Sequence, residues 1–478
     1  MRRSLSARLG LVALALTAAC AVGPNYERPT TVTPPLGWRD TTLAIRDSSY
    51  ANLPWWNVYA DTTLQSLIRT ALRENRDLRV TLARVNEARA LLGIQRIEFL
   101  PQIDIGGGVS KRRFGDSLPG ENGERNVASL GAGLYWELDL WGRVRRLNES
   151  AQAKLFATEL GRRGAILTLV GDVARAYFEL RDLDQEVLLA GVQRDLRQQS
   201  LALARARFEG GLTSELDVRQ GESALASADG IVASLLRQRS QKENELSVLL
   251  GRTPGEISRG QSLAEQTFPT VVPAGLPSEL LLRRPDVQQA EEELRAANAQ
   301  IGAAIAALFP TISLTAGAGT ASTQLSSLFS AGTGFWNIAA NLFQPLINRG
   351  RNLKQVAAER ARTEAALARY EQAVLASFRE VEDGLVGVKR LQEEAAAGYR
   401  TVVAARKTVE LATLRYEGGV DNYLNLLDAQ RVLLDAELNT SAVVRRQKVA
   451  VVQLYKALGG GWDTVTDTLA MPAAKPKN

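Results

Sequence analysis

Cys20 is the only cysteine in 478 residues, and the chain contains no histidine. These two counts decide what chemistry the side chains can do. Without histidine there is no Ser–His or Cys–His nucleophile pair, no imidazole general base and no His-containing zinc site. One cysteine makes no intramolecular disulfide, no Cys-x-x-Cys redox pair and no thiolate cluster for a metal. Carboxylate or lysine chemistry remains, and no catalytic constellation of either is visible. The chain therefore reads as no enzyme, with no catalytic residue, no metal and no cofactor. It has no Gly-x-x-x-x-Gly-Lys phosphate loop, so any energy it uses comes from a partner. Its net charge of +6 is scattered rather than clustered, so no nucleic-acid footprint is expected.

The lone cysteine has a chemistry of its own. Arg2 and Arg3 precede an apolar run from Leu9 to Leu16, then Thr17-Ala18-Ala19-Cys20. That order of basic, apolar and small residues is a secretory signal peptide over 1–19. Cys20 stands where a lipoprotein signal places its acylated residue, so a covalent lipid is expected there. The alternative is an unmodified thiol beside an ordinary cleavage site. Such signals usually carry Leu three residues before the Cys; here that residue is Thr17, with Leu16 one earlier. Ala21, rather than an Asp retention signal, directs the anchor to the outer membrane. No later stretch has eighteen consecutive apolar residues, so any membrane crossing falls to strands.

The elements that position these groups come from a duplication. Arg207-Phe208-Glu209-Gly210-Gly211-Leu212 recurs 208 residues later as Arg415-Tyr416-Glu417-Gly418-Gly419-Val420. Gly142-Arg143 recurs as Gly350-Arg351, and Pro101-Gln102-Ile103 as Pro310-Thr311-Ile312. Each half reads as helix, hairpin, very long helix, tight turn, helix. Ile166, Val170, Val173, Tyr177 and Leu180 step by 4, 3, 4, 3, as do Val374, Phe378, Val381, Leu385 and Val388. That spacing is a coiled-coil seam. A 67-residue helix would reach about 100 Å. The paired glycines Gly210, Gly211, Gly418 and Gly419 end the long helices, so each half carries a helical hairpin whose tip they form.

Strands alternate with period two. Ile103, Ile105 and Val109 form one set, Leu134, Trp136, Leu138 and Leu140 the next. Ile312, Leu314, Ala316 and Ala318, then Trp336, Ile338, Ala340 and Leu342, complete them. This is the pattern of outer-membrane strands, although a half-buried soluble sheet gives it too. Four strands cannot close a membrane barrel, so the barrel is shared among two, three or four copies. The expected layout is a signal peptide (1–19), a lipidated extended segment and belt helix (20–74), and a first repeat (75–250). That repeat holds a hairpin (101–141), a long helix (143–209) and a return helix (213–249). A belt connector (251–283) leads to the second repeat (284–458), with hairpin 310–347, long helix 350–417 and return helix 421–458. The tail is 459–478.

Several motifs carry a resemblance. They are Gly23-Pro24-Asn25-Tyr26, Trp55-Trp56 with Asp61, Trp136-Glu137-Leu138-Asp139-Leu140-Trp141-Gly142-Arg143 and Arg283-Arg284-Pro285-Asp286-Val287. Arg415-Tyr416 through Asp428-Ala429-Gln430, and Tyr455-Lys456-Ala457-Leu458-Gly459, complete the set. In this order they resemble the TolC/OprM outer-membrane factors, most nearly the NodT-type efflux lipoproteins. The resemblance implies an α+β, mainly α fold. An outer-membrane β-barrel, four strands per chain, would continue into a long coiled-coil α-helical barrel, closed only as a homotrimer. It implies a periplasmic adaptor protein and an inner-membrane RND transporter as partners, and a location in the outer membrane reaching into the periplasm. The channel would conduct drugs or other small molecules passively.

The resemblance also implies an iris-like gate at the hairpin tips. Leu424 and Asp428, one turn apart, would line its narrowest ring; on spacing alone Asp428 reads as an exposed helix residue, and the motif match reverses that. Three Asp428 carboxylates at an axis would favour cations. Asp217 and Tyr416 match a pair that latches the gate. A third partner, arginine in TolC, is Asp421 here, and a second ring carboxylate of some members is Asn425. The run Glu291-Glu292-Glu293 is expected on a solvated helix face. Alternative functions are the channel of a type I protein secretion system, or a periplasmic structural coiled-coil adaptor lipoprotein.

Overall fold

The computed structural model describes residues 21–39, 54, 58–114, 123–266, 274–275, 277–347 and 349–460. The signal peptide, Cys20, Trp55-Trp56 and the tail beyond Gly460 lie outside the described residues. The first half runs α1 (Thr62–Glu74), α2 (Arg76–Ile97), β1 (Gln102–Phe114), β2 (Gly123–Leu138), α3 (Arg143–Glu209) and α4 (Glu215–Leu249). The second runs α5 (Pro277–Arg283), α6 (Pro285–Ala306), β3 (Thr311–Ser322), β4 (Gly334–Phe343), α7 (Arg349–Glu417) and α8 (Tyr423–Ala457). The chain is thus mostly helical with one small sheet. The return helices begin two residues later than expected, because Ser214 and Asn422 are extended N-cap residues rather than helical ones. Asn422 accepts a hydrogen bond from Asn425 N–H, whereas the Ser214 side chain makes no such bond. The connector expected over 251–283 ends in a helix, α5. No helix among the described residues is long and apolar enough to cross a membrane.

The described residues fall into two compact units. One comprises those of 1–31, 84–159 and 289–372, and holds the sheet. Its order is β1-β2-β3-β4, antiparallel throughout. The register joins the two halves of the chain through β2 and β3. It aligns Ile103, Leu134, Ala316 and Ile338 in one row and Ile105, Ala132, Ala318 and Trp336 in the next. Trp136, Leu314 and Ala340 share that face, as do Leu138, Ile312 and Leu342. Every strand residue of the four apolar sets therefore lies on one side; Leu140 falls just past β2. The other side carries Asp104, Gly133, Gly317 and Asn337, or Gln102, Tyr135, Thr315 and Ala339. β1 and β4 are the two edges of this sheet.

The motif after β2 is a strand-to-helix junction. Asp139 accepts from Val144 N–H at 2.9 Å and Arg145 N–H at 3.0 Å, capping the orphan donors of α3. Glu137 pairs in bidentate fashion with Arg143 at 2.8 Å. Trp141 donates to the Pro310 carbonyl at 2.8 Å and stacks on Phe309. Val22 N–H donates to the Trp141 carbonyl at 3.1 Å. The buried Arg146 guanidinium binds the Val22 and Gly23 carbonyls and the Asn25 side chain. The segment following Cys20 is therefore fastened to this junction.

The same unit corrects one expectation. Glu291 is 6% exposed rather than solvated. It pairs with Arg28 and accepts from the Tyr26 hydroxyl at 3.3 Å, while Arg295 lies 4.8 Å over the Tyr26 ring. Burial, reinforced by the Glu291 charge, pushes the Tyr26 phenol up. The acidic run gave no sign of this because its partners come from the chain's far N-terminal segment.

The second unit comprises the described residues of 32–83, 160–288 and 373–478. Its core takes in the seam residues Ile166, Val170, Val173, Tyr177 and Leu180 from one repeat and Val381, Leu385 and Val388 from the other, with Phe378 packed against it. Burying a large apolar side chain contributes about 1.5–3 kcal/mol. Asp61, 2% exposed, caps α1 and gathers donors from three segments. It accepts from Tyr177 Oη and Gln266 Nε2, each at 2.7 Å, and from Gln261 N–H at 3.1 Å. A Cβ on Gly260 would stand 2.3 Å from Asp61 Oδ1, so only glycine fits there. Arg284, 5% exposed, pairs with Asp286 and Glu380 and donates to the Ala457 carbonyl at the end of α8.

Candidate functional site: the paired helical tips

The two hairpins, α3–α4 and α7–α8, turn in the same way. Gly211 and Gly419 have φ of +70° and +71°, the left-handed conformation that glycine adopts without strain. Leu212 N–H donates to the Arg207 carbonyl at 2.8 Å, and Val420 N–H to the Arg415 carbonyl at 2.9 Å. These six-residue returns satisfy carbonyls that the helix ends leave open. All four tip glycines thus occupy the turns expected of them. Beyond each turn the return helix packs back along its partner.

The structure brings Asp217 and Tyr416 together across the hairpins. Tyr416 Oη donates to Asp217 Oδ2 at 3.4 Å, and Thr213 Oγ1 donates to the same oxygen. Tyr416 is 2% exposed and packs on Tyr423, with ring centroids 5.1 Å apart, in a small cluster with Ala204 and Leu426. Burial, then the neighbouring Asp217 charge, raises the Tyr416 pKa. The phenol therefore stays a donor at any physiological pH.

Leu424 and Asp428 do not join that cluster. They lie with Arg431 and Asp435 on the exposed side of α8, at steps of 4, 3 and 4, opposite the buried Tyr423, Leu426 and Leu433. Asp428 Oδ1 accepts from Arg431 Nη2 at 2.7 Å, and Arg431 Nη1 reaches Asp435 Oδ2 at 3.0 Å. The stripe thus carries two carboxylates and one guanidinium. Sequence reasoning named Asp428 without Arg431, although the i, i+3 spacing was there to be read. Asp421 also has a partner of its own: Arg415 Nε donates to it at 3.3 Å, and the Asn425 amide donates to it as well.

Another residue that spacing did not reveal is Arg207. Its Nη1 donates to the Glu417 carbonyl at 2.9 Å, and its guanidinium lies 5.1 Å from the Tyr416 ring centroid. Below the tips, Gln430 Nε2 donates to Ser200 Oγ at 2.8 Å, joining α8 to α3 in a buried contact. Among the described residues no group of His, Cys, Asp or Glu is arranged to hold a metal ion.

The family model described as Outer membrane efflux protein matches residues 67–252 and 276–460, one segment for each repeat. The chain is 37% identical over 462 residues to the solvent efflux pump outer membrane protein SrpC of Pseudomonas putida, covering 95% of this chain and 98% of that protein. It is 34% identical over 453 residues to the cation efflux system protein CusC of Escherichia coli, covering 94% and 97%. Its fold is similar to the crystal structure of the open state of the Neisseria gonorrhoeae MtrE outer membrane channel, with a TM-score of 0.80 at 33% identity, covering 92% of this chain and 98% of that one.

Proposed function

The chain belongs to the outer membrane efflux protein family, and from that premise we propose how its parts make a channel. It is an outer-membrane efflux component of a tripartite system, extends into the periplasm and is not an enzyme. In our reading three copies close a twelve-stranded barrel above a tunnel of twelve long helices. Drugs or other small molecules pass through it, delivered by a periplasmic adaptor and an inner-membrane RND transporter. Cys20 carries the lipid anchor.

One observation carries this reading: the sheet has a face of apolar rows from Ile105–Ala132–Ala318–Trp336 to Leu138–Ile312–Leu342, giving way to polar residues only toward the Lys111–Asn126 end, and two unpaired edges, β1 and β4, that run in opposite directions. An edge left open in lipid costs several kcal/mol per unsatisfied group. β4 of one copy pairs antiparallel with β1 of the next, which removes every edge. The apolar rows then face lipid, and the glycine and polar rows face the lumen.

At the tips, Tyr416–Asp217 is the latch that holds the hairpins together in the closed state. Leu424 and Asp428 form the constriction. The relatives' names span solvents and cations, which agrees with a passive conduit whose pump selects the cargo.

The test is expression with a cognate adaptor and RND pump in cells lacking their own outer-membrane channel. Restored drug resistance, an oligomer of three-chain mass and conductance in planar bilayers are expected. A monomer that inserts without conducting overturns the reading. Cys20→Ser should abolish metabolic labelling with palmitate; retained labelling overturns the anchor.

A further inference from the structure

The two tips have the same backbone but opposite side-chain loyalties. Arg207 and Arg415 are repeat equivalents, each in the last turn of its long helix. Arg415 stays within its own hairpin, paired with Asp421 at 3.3 Å. The equivalent of Asp421 in the first repeat is Thr213, which offers no anion and spends its hydroxyl on Asp217. Arg207 has no such carboxylate at home and reaches across instead. Its Nη1 donates to the Glu417 carbonyl at 2.9 Å, and its plane covers the Tyr416 ring at 5.1 Å.

Glu417 is the last residue of α7, and the final carbonyls of a helix have no partner within it. A cation there is favoured by the helix dipole as well as by the hydrogen bond. The ring contact adds a cation–π attraction and fixes the face of the phenol that points to Asp217. From the other side of the duplication, the equivalent of Asp217 is Asn425, whose amide turns to Asp421. Arg207 and Asp217 of the first hairpin therefore both engage Tyr416 or Glu417 of the second, with Thr213 bonded to Asp217 behind them, while their equivalents Arg415 and Asn425 both turn to Asp421 of their own hairpin.

We propose that Arg207 is the positioning residue of the closed gate, a cationic cap that the first hairpin places on the end of α7 to hold Tyr416 against Asp217. The proposal rests on the tips being the gate. It assigns the clasp to the first hairpin.

The experiment compares Arg207→Ala with Arg415→Ala, which remove the same charge from equivalent places. Single-channel conductance of the purified full-length protein in planar bilayers is the readout, with Tyr416→Phe and Asp217→Asn measured alongside. Arg207→Ala should raise basal conductance severalfold, Arg415→Ala should leave it unchanged, and Arg207→Lys should restore part of the closure, since lysine keeps the charge without the planar fork. The lysine variant also decides the matter if the alanine variant is poorly recovered. A wild-type conductance in Arg207→Ala, or equal rises in both arginine variants, overturns the clasp. If Tyr416→Phe and Asp217→Asn rise while Arg207→Ala does not, the gate stands and the clasp falls. If none rises, the gate reading itself falls.

Discussion

The phenol of Tyr177 on α3 donates to Asp61 Oδ2 at 2.7 Å and in turn accepts from Gly260 N–H at 2.9 Å. One hydroxyl thus couples the cap of α1, the middle of a long helix and the connector between repeats. Tyr177→Phe keeps the apolar packing and deletes only this relay. It should cost about 1–3 kcal/mol, since Gly260 N–H loses its acceptor in a partly buried place. A lowered thermal midpoint of the detergent-solubilised protein, with conductance unchanged, is the expected result.

The Asp61 carboxylate also sets an acid limit. Burial works to raise its pKa, but the hydrogen bonds from Tyr177, Gln266 and the Thr63 and Leu64 N–H groups outweigh that and hold it below the ordinary carboxylate value. A depressed acid contributes stability above its unfolded pKa of about 3.9, and this is lost as pH falls through the lower folded value. Asp61→Asn should flatten that acid limb in a pH series of unfolding midpoints; an unchanged limb counts against the assignment.

Glu186 has the opposite sign. Burial first, then the nearby Asp182 charge, pushes its pKa up to about 7 from 4.5, against the pull of Arg445. The folded state then binds this proton more tightly than the unfolded chain does. Its contribution to stability is full below pH 4.5 and is lost as pH rises through about 7. Glu186→Gln should therefore match the parent at pH 4 and exceed it at pH 8, both about half a unit or more outside that window. A midpoint difference that does not grow with pH would contradict this.

Arg431 alters what Asp428 can do. The pair is exposed and screened by solvent, so it adds little to stability and substitutions there report on conduction rather than folding. Asp428→Ala should raise conductance and lower cation preference. Arg431→Ala should raise cation preference, because it leaves Asp428 and Asp435 uncompensated. Reversal potentials in asymmetric salt measure both, and equal selectivity in the two variants would remove the ring from this stripe.

The register makes neighbouring residues unequal. Ala316 shares its row with Ile103, Leu134 and Ile338, while Thr315 pairs with Tyr135 and Ala339 on the other side. Ala316→Arg should prevent insertion, at about 2–4 kcal/mol for a cation facing mid-bilayer lipid. Thr315→Arg should insert and change anion conductance. Equal recovery of both from outer membranes would refute the facing.

What the sequence determined by itself was everything set by short-range sterics and period. The Gly210-Gly211 and Gly418-Gly419 turns, the seams through Tyr177 and Val381, and the one-sided strands could be read directly. In each, a residue's conformation depends on neighbours a few positions away, and the duplication repeated every signal. The tertiary structure alone decided which distant groups meet. Glu291 sits where Arg28 and Tyr26 arrive, so an acidic run that looked solvated is partly buried. Asp61 draws on residues near 177, 260 and 266, which no local pattern connects. Arg207 and Arg415 are indistinguishable by spacing, yet one crosses between hairpins and the other does not. That difference turns on Thr213 against Asp421, and a side chain's choice among partners is made by distance in space, which the order of residues along the chain does not encode.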